Sequence, residues 1–192
     1  MAKLYFYYAS MNAGKSTTLL QAAFNYRERG MRVSLWTAAL DDRPGFGAIS
    51  SRIGLSSDAH RFEVDTDIET RVLADHSESP IACVLVDEAQ FLTKDQVWQL
   101  ARLADDAGIP VLCYGLRTDF QGELFAGSAA LLGLADALIE MKAVCDCGRK
   151  ATMNLRVDAQ GRAVHEGAQT EIGGNDRYVA MCRKHFCEAL AG

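Results

Sequence analysis

The chain has 192 residues, 49% of them hydrophobic and 23% charged, with a formal net charge of −5 at pH 7. That length can bury a real core in one domain plus a small appendage, and no apolar run reaches the 18 or so residues of a membrane span. The negative balance argues against nucleic acid as the main partner, while leaving room for a mononucleotide, because one loop can supply a local positive field.

Met1-Ala2-Lys3 leads directly into a strand-like run and shows no signal-peptide cleavage pattern, so a cytoplasmic location without disulfides is expected. The run Leu4-Tyr5-Phe6-Tyr7-Tyr8 is followed by Ala9-Ser10-Met11-Asn12-Ala13-Gly14-Lys15-Ser16-Thr17 and then by an amphipathic run closing at Gly30. Strand, tight loop and helix are the context of a phosphate-binding loop. Backbone N–H groups of such a loop converge on phosphate oxygens at the helix N-terminus; Lys15 would reach the β/γ-phosphates and the Ser16 hydroxyl would sit on Mg²⁺. The usual motif has Gly five residues before the Gly-Lys pair, where this chain has Ala9, so Gly14 is left to carry the tight turn.

The helix is expected to turn Leu20, Ala23 and Phe24 inward, with Leu19 and Tyr26 at the margins. Met31–Thr37 alternates as a strand does. Residues 41–54 are turn-rich and read as a long functional or mobile loop, with Arg43 and Arg52 as candidate phosphate contacts. A surface helix is expected over Thr66–His76. The continuous apolar run Ile81–Val86 reads as a buried parallel strand and ends in Asp87-Glu88-Ala89-Gln90. Because Thr93 is the better cap for the following helix, Asp87 and Glu88 are left for chemistry, the first as a Mg²⁺ carboxylate. Val111–Tyr114 and Ala135–Met141 complete the strands. Strands alternating with helices give an α/β fold with a parallel sheet covered on both faces, whose ligand lies beyond the carboxyl ends of the strands. Met11, Arg43, Asp87, Glu88, Arg117 and Phe120 all follow strand ends and are expected to converge there.

Of six cysteines, Cys83 and Cys113 sit in apolar runs and read as core residues. Cys145, Cys147, Cys182 and Cys187 crowd into the last fifty residues beside His185, which suggests metal. Two close pairs, Cys145/Cys147 and Cys182/His185, match a tetrahedral structural zinc site, with Cys187 as a spare ligand. Four protein ligands make such a zinc a staple, standing in for the core that this polar stretch is expected to lack. Residues 143–192 carry seven basic and six acidic side chains, and so lack the basic footprint of a nucleic-acid-binding finger.

Five segments in order resemble the cytoplasmic, zinc-containing (type II) thymidine kinases, the bacterial members most. They are Tyr-Phe-Tyr-Tyr with Met-Asn-Ala-Gly-Lys-Ser (5–8 and 11–16), Val-Asp-Glu-x-Gln-Phe (86–91), Cys-Tyr-Gly-Leu-Arg-Thr-Asp-Phe (113–120), Cys-x-Cys-Gly-Arg-Lys-Ala (145–151) and Ile-Gly-Gly-Asn-x-Arg-Tyr (172–178). The resemblance implies a P-loop NTPase-type sheet flanked by helices over residues 1–142 and a zinc-stapled lasso domain over 143–192. It implies ATP-dependent phosphorylation of the 5′-hydroxyl of thymidine or deoxyuridine. Ala9 to Ser16 with Asp87, Glu88, Ala89 and Gln90 would hold ATP and Mg²⁺, and Glu88 would be the general base. Met11, Phe120, Gln169, Thr170, Glu171, Ile172, Gly173 and Tyr178 would enclose the nucleoside, and Cys145, Cys147, Cys182 and His185 would bind zinc. A homotetramer inhibited by dTTP is implied as well. The other reading of the same motifs is a P-loop ATPase or motor in which Glu88 activates water.

Overall fold

The apolar runs become strands where they carry β-branched and aromatic residues, and helices where the apolar period lengthens. The structure is a computed structural model and describes residues 1–40, 47–170 and 177–191. In chain order it contains β1 (Leu4–Ala9), α1 (Lys15–Glu28), β2 (Arg32–Ala38), β3 (Ala48–Ser50), β4 (Ser56–Asp58), β5 (His60–Phe62), α2 (Ile68–Glu78) and β6 (Ile81–Val86). There follow α3 (Lys94–Asp105), β7 (Val111–Leu116), α4 (Ala126–Leu134), β8 (Ala137–Glu140), β9 (Ala143–Val144), β10 (Lys150–Ala151), β11 (Met153–Arg156), β12 (Tyr178–Met181) and α5 (Arg183–Ala191). Among the described residues, six strands form one sheet in the order β5-β2-β6-β7-β1-β8, every pair parallel. Because β1, β7 and β6 are parallel neighbours, the loops leaving all three open onto the same end of the sheet.

Both faces are covered, as a parallel sheet requires. On one, Phe6, Val84, Val86, Val111 and Cys113 pack against Ile68 and Val72 of α2, Val97 and Leu100 of α3, and Leu131 of α4. On the other, Leu35, Cys83, Leu85 and Tyr114 meet Leu19, Leu20 and Ala23 of α1, together with Ile49. The expected inner face of α1 is therefore out of phase: Leu19 is fully buried, whereas Phe24 is 54% exposed. Phe24 follows Ala23 by about 100° of helix rotation, which carries it off the stripe formed by Leu19, Leu20 and Ala23.

The long turn-rich segment is not one loop. Its described part holds β3, which pairs as a hairpin with β4 just beyond it, and β5 then joins the sheet edge beside β2. These strands are three residues each, β4 is wholly polar, and β3 and β5 are too short to show a period, so the pattern does not reveal them. The helix expected over Thr66–His76 starts two residues later, because the Asp67 side chain accepts from the Thr70 N–H and so caps α2. Thr93 caps α3 as expected, in a reciprocal box with Gln96. Helix α4 had no counterpart among the expected elements. Its Gly127 lies so close to the turn after β6 that a Cβ there would come within 2.6 Å of the Ala89 carbonyl and 2.9 Å of that of Gln90. Gly127→Ala is expected to cost about 1–3 kcal/mol, read as a lower Tm, because backbone must move to admit the methyl group.

Beyond β8, the pairs β9/β10 and β11/β12 are antiparallel. The described part of this region is less polar inside than its composition suggests: Met153, Leu155, Val157 and Phe186 form a small apolar cluster of their own. No helix among the described residues is long and apolar enough to cross a membrane.

Candidate active site

The phosphate loop leaves β1 at Ala9, an ordinary extended residue where a Cβ causes no difficulty. Gly14 has φ 79° and ψ 25° and is the N-cap of α1. A Cβ on Gly14 would meet nothing within 4 Å, so the requirement for glycine is conformational and not steric. Having no side chain, Gly14 leaves the first-turn N–H groups of α1 without a side-chain cap, the arrangement that receives anions. The Lys15 ammonium folds back over the loop and donates to the Ser10 carbonyl at 2.9 Å.

At the end of β6, Asp87 is buried and its carboxylate accepts from the Ser16 hydroxyl and, at 3.0 Å, from the Glu88 N–H. Burial first, and the charge of Glu88 second, push the Asp87 carboxyl up to about 7; Ser16, the Glu88 N–H and Lys15 pull the other way. A buried carboxylate beside a second one suits a divalent cation. Glu88 adopts a left-handed backbone, φ 51°, which for a non-glycine residue stores strain of about 1–3 kcal/mol and directs its side chain away from the strand. Its carboxylate is held by the Gln90 side-chain amide, whose own carbonyl oxygen accepts from the Leu116 N–H at 3.0 Å. Gly115 makes room for this bridge, since a Cβ there would stand 2.9 Å from Gln90 Oε1. Ala89 is fully buried in the sheet core, so any part it takes in binding nucleotide is indirect.

These groups face a cleft of about 500 Å³. Its lining includes Met11, Asn12, Gly14, Lys15, Ser16, Asp87 and Glu88 from the phosphate loop and the end of β6, together with Phe120, Asn154, Gln169, Thr170 and Tyr178. Arg52, in the turn that joins β3 to β4, is also among the lining residues. Arg43, Glu171, Ile172 and Gly173 fall outside the described residues. Arg117 does not join the cleft lining; its guanidinium stands 5.9 Å from the Tyr8 ring centroid. Thr118 contributes a buried hydroxyl to the wall, the one buried side-chain polar atom without a partner among the described residues.

The thiols of Cys145, Cys147 and Cys182 and a ring nitrogen of His185 lie within 4.8 Å of one another. Cys147 and Cys182 sulfurs are 3.8 Å apart, and Cys145 Sγ is 3.4 Å from His185 Nδ1. Zinc bonds of about 2.3 Å to sulfur and 2.0–2.1 Å to nitrogen, at tetrahedral angles, require separations of about 3.8 and 3.5 Å. Backbone N–H groups of Cys147 and Cys182 hold the Cys145 thiol down to about 6, so it offers the thiolate that a metal takes. The spare ligand, Cys187, is exposed on α5 outside the cluster. With four protein ligands, the site leaves no position open for water and fits a structural zinc.

The sequence pattern of the thymidine kinase family matches residues 2–186. The chain belongs to the thymidine kinase family. It is 77% identical to a thymidine kinase of Novosphingobium aromaticivorans over 190 residues, 99% of each chain. It is 60% identical to thymidine kinases of Jannaschia sp. and Vibrio cholerae over 190 residues, 99% of this chain and 97% and 99% of theirs. A solved structure of a Bacteroides Pif1 bound to ssDNA overlays with a TM-score of 0.38 at 14% identity, covering 73% of this chain and 38% of that one.

Two residues of this thymidine kinase fold escaped the sequence reading. Asn154 is buried; its carbonyl oxygen accepts from the Met11 N–H at 2.7 Å and its amide lies 3.4 Å from the Thr118 carbonyl. Arg156 is buried beneath Phe120 and Tyr178. Their signal was two polar residues at i and i+2 in an otherwise apolar strand, which places both on one face of β11.

Proposed function

We propose that this chain transfers the γ-phosphoryl group of ATP to the 5′-hydroxyl of thymidine or deoxyuridine, giving dTMP or dUMP and ADP. The observation that carries the proposal is the shared cleft, which is lined by the phosphate loop, the carboxylates of Asp87 and Glu88, and the aromatic and amide groups of Phe120, Gln169 and Tyr178. In this reading the loop from Ala9 to Ser16 receives the triphosphate, and Lys15 swings from the Ser10 carbonyl to the β/γ-phosphates. Asp87 and Ser16 hold Mg²⁺, which when bound neutralises phosphate charge. Glu88, oriented by Gln90, takes the proton of the 5′-hydroxyl as its oxygen attacks the γ-phosphorus and the bond to the β-phosphate bridge breaks.

Arg52 and Arg43 contact phosphate. Met11 and Phe120 pack on the base, while Tyr178 and the backbone of Gln169, Thr170, Glu171, Ile172 and Gly173 enclose its edge. Residues 143–192 act as the zinc-stapled lasso domain on the nucleotide-binding domain of residues 1–142. A homotetramer in the cytoplasm, with dTTP as feedback inhibitor, completes the proposal; these three rest on family membership.

The test is ADP formation with and without nucleoside. Thymidine and deoxyuridine are expected to drive it, deoxycytidine and deoxyguanosine to do so poorly. ADP release that is indifferent to added nucleoside would mean that Glu88 activates water and would overturn the proposal.

A further inference from the structure

Arg156 lies behind the wall of the cleft and is only 3% exposed. Its Nε and Nη2 donate to the Tyr178 hydroxyl at 2.9 and 2.6 Å, and Nη2 also reaches the carbonyls of Ala168 at 2.9 Å and Gln169 at 3.4 Å. The guanidinium carbon stands 3.7 Å from the Phe120 ring centroid and 5.3 Å from that of Tyr178. Gln169 extends the link, its amide donating to Asp119 at 3.0 Å, one residue before Phe120. Phe120, Gln169 and Tyr178 come from three separated stretches of chain and all line the cleft. The backbone of Gly167 passes on another side, where a Cβ would come within 3.1 Å of Nη1.

We propose that Arg156 is a positioning residue that sets the width and rigidity of the nucleoside slot. It does so by clamping the Tyr178 hydroxyl and the 168–169 backbone onto the face of Phe120. The role rests on the proposed function, since it presumes that the base enters between these groups. The planar guanidinium suits the task because its donors serve a hydroxyl and two carbonyls while its charge rests on an aromatic face; an ammonium is a point charge and cannot span that set. A buried guanidinium is also a costly way merely to fill space. Because Arg156 holds Tyr178, the 168–169 backbone and Phe120, and none of these belongs to the phosphate loop, its loss should fall on nucleoside affinity and spare ATP.

Steady-state kinetics on the zinc-loaded full chain test this. Arg156→Met is expected to raise the KM for thymidine about tenfold or more, with kcat and the KM for ATP within about threefold of the parent; Arg156→Lys should lie between. Tyr178→Phe should raise the thymidine KM in the parent and add nothing to Arg156→Met, as coupled groups behave. Gly167→Ala, which crowds the guanidinium from the other side, should move the same parameter. A general structural role would lower the folded fraction, and thus kcat, with both KM values unmoved. That result, or a thymidine KM within about twofold of the parent in Arg156→Met, would overturn the role. An inactive parent chain would sink the reading of the whole site, whereas an active parent with unmoved KM values would sink the role of Arg156 alone.

Discussion

Glu88→Gln is expected to lower kcat by about 10²–10⁴ while leaving ATP affinity unchanged or slightly higher. The replacement keeps the shape of the side chain, and its amide oxygen can still accept from Gln90, so the support seen at Glu88 survives. What disappears is the group able to take a proton. The neighbouring Asp87 benefits, because the Glu88 charge is the second cause of its raised pKa after burial; without it Asp87 ionises more readily and holds a cation at least as well. Turnover and nucleotide binding should therefore separate, with kcat read from ADP formation and affinity from nucleotide titration. A kcat within about threefold of the parent would show that Glu88 is not the base.

Removal of zinc should have an effect as large, by a different route. Structural zinc sites contribute about 10–16 kcal/mol in small peptides, far more than the Met153–Phe186 cluster can replace. Chelation, or Cys182→Ser, is expected to disorder the region beyond β8 and abolish thymidine-dependent activity; Cys187→Ser should keep both metal and activity. The loss should reach the ATP side too. Asn154 and the Ala151 carbonyl hold Met11 and Ser10 of the phosphate loop, and an N–H left without its partner costs about 1–3 kcal/mol. ATP affinity is thus expected to fall about tenfold along with nucleoside binding. Metal content measured beside both affinities checks this, and a metal-free chain with full ATP affinity would refute the link.

Residues whose role is written into local pattern were legible. Gly14-Lys15-Ser16 between strand and helix, Asp87-Glu88 after an apolar run and the paired ligands around Cys145 and Cys182 each declare themselves within a few positions, and the cleft and the metal cluster gather them as read. The misplacements have a common cause, since they depend on contacts made across the chain. Phe24 is apolar by type and exposed by a fraction of a helical turn. Strands β3, β4 and β5 are three residues each, with Ile49 and Phe62 as their buried anchors, too short to show a period before their partners are known. Asn154 and Arg156 resemble ordinary polar residues until the loop at Met11 and the ring of Phe120 are brought to them.

The bond from Asn154 to Met11 spans 143 positions of sequence. It follows that the loop at Met11 is not a self-contained element: its order is tied to a side chain on β11, so a change that loosens β11 should be felt at the loop as well.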